Sequence, residues 1–212
     1  MTAIRRLLVV GALLSVAATA QGPGTLLTAG NEGEWKPLID TLAAKGAVTA
    51  PFTELRFFPF RREPLLLKGV LRTSPDRGLS LQYLDPDPNI LIADSTGLVL
   101  RDAKGRSRAV PSGSRETGAV LSLLPILQFN MAALYPRFVV RASRTGEDWR
   151  FEFTPKDAGD AGALGAITVG GTGSDVHYLE FKRSSSLRIE IDVGANRTGT
   201  PFSAGDLKQF FR

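Results

Sequence analysis

Cysteine is missing from this 212-residue chain, and histidine occurs once. The first absence excludes disulfides, thiolate metal ligands, a cysteine nucleophile and an N-terminal lipid carried on cysteine. The single histidine, His177, stands beside Tyr178 in a strand-like stretch, and no Gly-x-Ser-x-Gly turn occurs. A serine-histidine-acid centre of that kind is therefore excluded, and a metal site built on His and Cys lacks ligands. No Lys/Arg cluster with interleaved aromatics is present, which argues against a nucleic-acid partner. Nor is there an apolar run of about 20 residues, the length a membrane-spanning helix needs.

What the chain has in quantity is turn formers, 22 Gly and 13 Pro among 43% hydrophobic residues. Such a mix belongs to a globular chain of many short elements, long enough to bury a core. It opens with MTAIRRLLVVGALLSVAATA: two arginines, an apolar run from Leu7 to Ala18, and Ala18-Thr19-Ala20 as a small-residue cleavage site. This is the pattern of a secretory signal peptide cut after Ala20. Residues 21–212 are then expected to form one domain, a soluble monomer exported across the inner membrane to the periplasm. Cleavage removes Arg5 and Arg6 and lowers the formal charge from +5 to +3. An excess of that size speaks to solubility, with weak attraction to anionic lipid at most.

The stretch from Phe52 to Pro111 carries the strongest pattern. Leu79, Leu81 and Tyr83 alternate with Ser80 and Gln82, and Asn89–Asp94 and Leu98–Arg101 follow across turn residues. Period-2 alternation cut by Gly, Pro and Asp predicts a meander of antiparallel strands. Before it, Pro51 and Pro59 bracket an aromatic strand over 52–60, and Leu65, Leu67, Gly69 and Leu71 share one face of the next. Strands resume at 137–142, 149–154, 166–170, 176–183 and 186–193. In Trp149/Phe151/Phe153 and in Leu187/Ile189/Ile191/Val193 the alternation gives one wet and one dry face.

Helices are fewer. Asn31-x-x-Glu34 approximates a capping box, Pro37 falls in a first turn, and Trp35, Leu38, Ile39, Leu42 and Ala43 form one apolar face before Gly46. Residues 21–33 read as a polar linker. From Ser114 to Pro136 the chain is apolar on nearly every side, which predicts two short helices, to Leu127 and to Leu134, either buried in the core or laid as a lid over an apolar cavity. A last short helix is expected from Ser203, with Asp206 in its first turn.

Two chemistries are open to test. Asp85-Pro86-Asp87-Pro88-Asn89 begins like a calcium loop, but Ile90 and Thr96 stand where such a loop needs Gly and Glu. A turn is the better reading. Carboxylate pairs for a periplasmic hydrolase remain: Asp85 with Asp87, Asp157 with Asp160, and Glu190 with Asp192, which would have to converge in a polar cleft.

Several short motifs, in order, resemble the LolA-like family of periplasmic lipoprotein carriers. They are Phe52-Thr53-Glu54 opening a strand, Pro64 followed by Gly69-Val70-Leu71, Tyr83-x-x-Pro86, the Leu98 strand after Ser95-Thr96-Gly97, then Phe138, Trp149 and Thr154-Pro155. The resemblance implies an α+β, mainly β fold: a strongly curved antiparallel sheet, a half-open barrel, with helices packed in or over its concave face. It implies a carrier without a cofactor, which shields the acyl chains of lipoproteins or another lipid between an inner-membrane donor and an outer-membrane acceptor. Positions expected to line the cavity are Phe52, Leu67, Leu71, Leu79, Leu81, Ile90, Ile92, Leu123, Leu127, Phe138, Val140, Trp149 and Phe151. Family carriers latch sheet to lid with an arginine where this chain has Pro75, so Arg56, Arg72 and Arg77 are the candidate latches. An envelope protein-binding or assembly module of the same fold is the alternative to a carrier.

Overall fold

The computed structural model describes residues 24–111, 121, 123–159, 162 and 165–212. The expected signal peptide with its cleavage point, the start of the 114–136 segment and Asp160 lie outside them. The described chain is dominated by one antiparallel sheet of thirteen strands. A first meander comprises β2 (Val48–Phe57), β3 (Leu65–Ser74), β4 (Gly78–Asp85), β5 (Asn89–Asp94), β6 (Gly97–Asp102) and β7 (Ser107–Val110). A second comprises β8 (Phe138–Thr145), β9 (Asp148–Pro155), β10 (Ala166–Thr172), β11 (Asp175–Lys182) and β12 (Arg188–Val193).

The two meanders join where β12 pairs with β2, Ile191 opposite Glu54 and Val193 opposite Phe52. β1 (Thr25–Leu27), within the stretch expected as linker, adds to β8, and β13 (Arg197–Thr198) pairs with the start of β2. The sheet is not closed: its path runs from β1 at one edge to β7 at the other. The strand expected to begin after Pro51 begins at Val48 instead. Pro51 is tolerated inside β2 because β12 ends and β13 begins beside it, so no ladder bond asks for its missing N–H.

Curvature follows from what covers the sheet. Twelve strands at about 4.8 Å spacing would span over ~50 Å if flat. One face is covered by α1 (Lys36–Ala43), the helical residues 123–127 and α2 (Met131–Leu134). An eight-residue helix is only about 12 Å long, so the sheet has to curl around these pieces to bury that face. A single core results, drawing Leu27 from β1, Leu98 from β6, and Phe138, Phe151, Ile167 and Leu179 from the second meander.

Local sequence explains the covering helices. α1 buries Ile39 and Leu42, three apart, with Trp35 one turn before them edge-on to Phe151 at 5.4 Å. A 3-10 turn (Gly33–Trp35) leads in and no side chain caps α1, so the capping box expected from Asn31 does not form. The helical residues 123–127 end in a Schellman arrangement: Asn130 N–H donates to Pro125 O at 2.9 Å and Phe129 N–H to Ile126 O at 3.1 Å. Phe129 fills the left-handed position that glycine usually takes, with φ 48°. Its ring is repaid for that strain by burial edge-on to Trp149 and Phe151.

α3 (Ala204–Phe210) packs on the opposite, convex face. Its capping box is complete, Ser203 Oγ accepting from Asp206 N–H while Asp206 accepts from Ser203 N–H, each at 3.1 Å. Arg101 of β6 donates to the carbonyls of Lys208, Gln209 and Phe211, and Arg212 pairs with Asp94 at 2.9 Å. Under this strap Ser80, Ile92 and Val99 are buried on the outer face.

Candidate functional site

A cleft of about 560 Å³ opens between α1, the 127–132 segment and one end of the sheet. Its floor is apolar, with Val48 and Leu71 from β2 and β3, and Val176, Leu179 and Val193 from β11 and β12. Ile39 and Leu42 form one wall, Leu127, Phe129 and Met131 the other. The mouth is polar: Glu32, Lys36, Asp40, Lys45, Asn130 and Asn196. This is the size and make-up of a small-molecule site, an apolar hollow with a few polar groups at its entrance.

Both lysines of the mouth are paired. Lys36 reaches Asp40 at 2.8 Å and Lys45 reaches Asp175 at 2.9 Å. The hydrogen bond to Asp40 raises the Lys36 ammonium above its usual range, and that from Lys45 lowers the Asp175 carboxyl. Asn196 stands beside this pair: its side chain bonds Asp175 and its Nδ2 lies 3.5 Å from Val176 O, while its Oδ1 is buried without a partner.

A second polar feature sits on the concave face toward the β2–β3 hairpin. Glu54 is 2% exposed. Tyr83 donates to its Oε2 at 2.9 Å, and Arg56 pairs with its Oε1 and donates to the Tyr83 hydroxyl at 3.2 Å. Burial first, then the Glu54 charge, pushes the Tyr83 phenol well above its ordinary range. For Arg56, burial opposes the charge and Glu54 restores it, leaving the guanidinium held more firmly protonated than usual.

Among the expected cavity positions, Leu71 and Leu127 line the cleft. Phe52, Leu79, Leu81, Leu123, Phe138, Val140, Trp149 and Phe151 face the same concavity but are buried within its packed core, and Leu67 packs against that core. Ile90 and Ile92 are not on this face. They stand opposite Gln82 and Ser80, whereas Leu91 and Ala93 stand opposite Leu81 and Leu79, so the two isoleucines belong to the convex side. The cleft residues absent from the expected set include those of α1, Phe129 and Met131 beside Leu127, Val176 and Leu179 of β11, and the loop ends around 45–48 and 193–196, which only the closing of the two meanders brings near Leu71.

The latch candidates separate similarly. Arg56 faces the concavity and holds Glu54. Arg72 is on the convex face, its guanidinium over the Phe210 ring, and Arg77 is exposed in the β3–β4 turn. Neither is placed to fasten a covering helix to the concave face, a correction that the alternation of Leu71 with Arg72 already signals. Of the carboxylate pairs, Asp85 and Asp87 are exposed at the β4–β5 turn, and Glu190 and Asp192 stand opposite Leu55 and Thr53, out of phase with the inward Phe52 and Glu54. None of these four lines the cleft. His177 borders a separate depression of about 420 Å³ with Asp148, Arg150 and Tyr178. Among the described residues no three His, Cys, Asp or Glu side chains group to hold a metal, and no helix is long and apolar enough to cross a membrane.

An open curved sheet with helices on its concave face is the architecture that the sequence resemblance implies. The chain is similar to several solved structures. One is a domain from Vibrio parahaemolyticus named for outer membrane lipoprotein sorting, at 9% identity, covering 81% of this chain and 93% of that one with a TM-score of 0.48. Another is a LolA superfamily protein from Nitrosomonas europaea, at 6% identity, covering 81% and 96% with a TM-score of 0.44. A third is the MucA/MucB complex of Pseudomonas aeruginosa, at 14% identity, covering 82% of this chain and 59% of that one with a TM-score of 0.41. No family model and no curated protein matches.

Proposed function

We propose that the protein is a periplasmic carrier that shelters an acyl chain of a lipoprotein or another lipid in the cleft beside α1. The observation that carries this reading is the apolar hollow itself, floored by Leu71, Leu179 and Val193 and bordered by a polar mouth. Burying a methylene is worth about 0.8 kcal/mol, so a long acyl chain left in water costs on the order of 10 kcal/mol and needs such a shelter in transit. The exposed mouth and apolar depth give a cargo a direction: chain inward, head group at Lys36, Lys45 and Asn196.

The test is native mass spectrometry of protein released gently from the envelope, which is expected to show a bound acyl species. Leu127→Glu, placing a charge in the apolar wall, is expected to fold and to lose that species. Equal retention of acyl material by a folded Leu127→Glu protein refutes the assignment.

A second reading, an envelope protein-binding module, is favoured by the β2–β3 hairpin tip. There the rings of Phe58 and Phe60 stack at 5.3 Å and Phe60 is 82% exposed. Protein that co-purifies a polypeptide through this tip and never an acyl species would establish that reading instead.

A further inference from the structure

The cleft takes its floor from the starts of β2 and β11 and the ends of β3 and β12. At the other end of the same strands two hairpin tips stand side by side, residues 58–64 between β2 and β3 and residues 183–187 between β11 and β12. The pairing of Arg188 with Phe57 holds them together. Among the described residues four large apolar side chains are exposed: Leu26, Phe60, Leu66 and Leu84. Three of the four belong to this end: Phe60 on the tip, Leu66 as the second residue of β3 and Leu84 as the last but one of β4. Phe60 stacks on Phe58 at 5.3 Å, so the tip presents one stiff aromatic knob to solvent.

Cations surround the knob. Arg61 and Arg62 follow Phe60, Lys182 and Arg183 stand on the neighbouring tip, and all four are exposed. None of them has an ion-pair partner among the described residues. The one carboxylate on these two tips is Glu63, which leaves them at +3. Arg188 is not free to join them, being tied to Glu190 at 2.6 Å and laid over the Phe57 ring. On the other side of β3 the β4–β5 turn carries exposed Asp85 and Asp87, so charge at this end runs from positive beside β11–β12 to negative beside β4–β5. A protruding apolar knob with unpaired cations on one flank matches the lipid–water boundary, where rings enter among the head groups and Lys and Arg meet phosphates. We propose that this end docks the protein on an anionic phospholipid bilayer, Phe60 entering the head-group layer with Arg61, Arg62, Lys182 and Arg183 against its phosphates, and the acidic β4–β5 turn tilted away. The ten residues of β2 put about 30 Å of strand between that contact and the cleft. The docked protein therefore holds its cleft away from the bilayer, and on the carrier reading its cargo passes to or from another protein and not straight into the surface that the tip grips.

The experiment is co-sedimentation of the full chain and its variants with vesicles of phosphatidylglycerol and phosphatidylethanolamine, set against vesicles of phosphatidylcholine alone. Any pull from the apolar run Leu7–Ala18 is common to every variant, so the differences report the tip. Wild type is expected to prefer the anionic vesicles and to be released by salt. Arg61→Gln/Arg62→Gln and Lys182→Gln/Arg183→Gln should each weaken that binding about 30-fold, roughly fivefold for each cation. Phe60→Ser should weaken it about 10-fold or more at an unchanged urea midpoint. Because the chain has no cysteine of its own, a polarity-sensitive dye can be placed at one site. On Ser185→Cys it should respond to the anionic vesicles, and on Asp76→Cys, at the cleft end, it should not. Equal binding to both kinds of vesicle, wild-type binding by the folded tip variants, or a response at position 76 instead of 185 overturns the proposal. So does capture of a polypeptide by the tip without vesicle binding, which establishes the protein-binding reading. The Leu127→Glu test of the carrier reading does not touch this end, so the two can fail separately.

Discussion

The guanidinium of Arg72 lies 3.5 Å from the centre of the Phe210 ring, on the side of the sheet turned away from the main core. Its Nη1 donates to Gln82 on the neighbouring strand at 3.0 Å, so β3, β4 and α3 meet at one cation-bearing stack. Burial lowers the guanidinium's hold on its proton, a sign that the stack excludes water. The strap covers the outer surface of β4–β6, which would otherwise expose Ile92 and Val99.

Removing the ring should therefore cost more than removing the charge. Phe210→Ala is expected to destabilise the fold by about 3 kcal/mol and Arg72→Ala by about 1 kcal/mol, measured by urea denaturation. Less than half a kcal/mol for Phe210→Ala would mean that α3 is not fastened in solution.

The Glu54–Tyr83 bond predicts a second effect. Tyr83→Phe leaves a buried carboxylate short of a donor and is expected to cost about 1–3 kcal/mol. In an ultraviolet titration of the folded protein, one tyrosine absent from the variant should ionise above the ordinary phenol value of about 10. The sign follows from the raised folded-state value: Tyr83 stabilises fully below pH about 10 and its contribution is lost as pH rises beyond that.

Acid acts on the strap. Burial works against the Asp94 carboxylate, but bonds from Thr96 and the Arg212 charge outweigh it and lower its pKa, while bonds from Ser203 lower that of Asp206. Depressed carboxyls stabilise above the unfolded value of about 3.9 and lose that contribution as pH falls through the folded value. Wild type should melt above an Asp94→Asn/Asp206→Asn variant at pH 7, and the gap should narrow as pH falls below about 3.9. A gap that stays unchanged from pH 7 down to the acid limit of folding contradicts this origin.

Gly69 supplies a packing test. A Cβ there would lie 2.2 Å from Gln82 O and 2.7 Å from two ring carbons of Phe52. Gly69→Ala is expected to lose about 1–3 kcal/mol by overpacking, read from the urea midpoint at unchanged slope.

Much of the architecture is legible in the residues. Alternation in β4, β9 and β12 names the strands and their dry faces, and Ser203 with Asp206 names the last helix. In β5 both phases of Asn89–Asp94 are apolar, so periodicity cannot say whether Ile90 and Ile92 or Leu91 and Ala93 turn inward. That choice is made by α3, more than 100 residues later, which gives the outer phase something to bury against. Likewise Asn31 and Glu34 have the spacing of a cap, yet Gly33, at φ +54°, takes a left-handed turn and a 3-10 entry replaces the box.

From residue order alone came the strand periods, the lack of any thiol, and an excess of apolar segments suited to a curled sheet with helices inside, because these depend on composition and on neighbours a few positions apart. The cleft came only with the tertiary fold. Leu71, Leu127 and Val193 are far apart along the chain, and it is the antiparallel joining of β12 to β2, with α1 laid across, that leaves a hollow where their side chains meet.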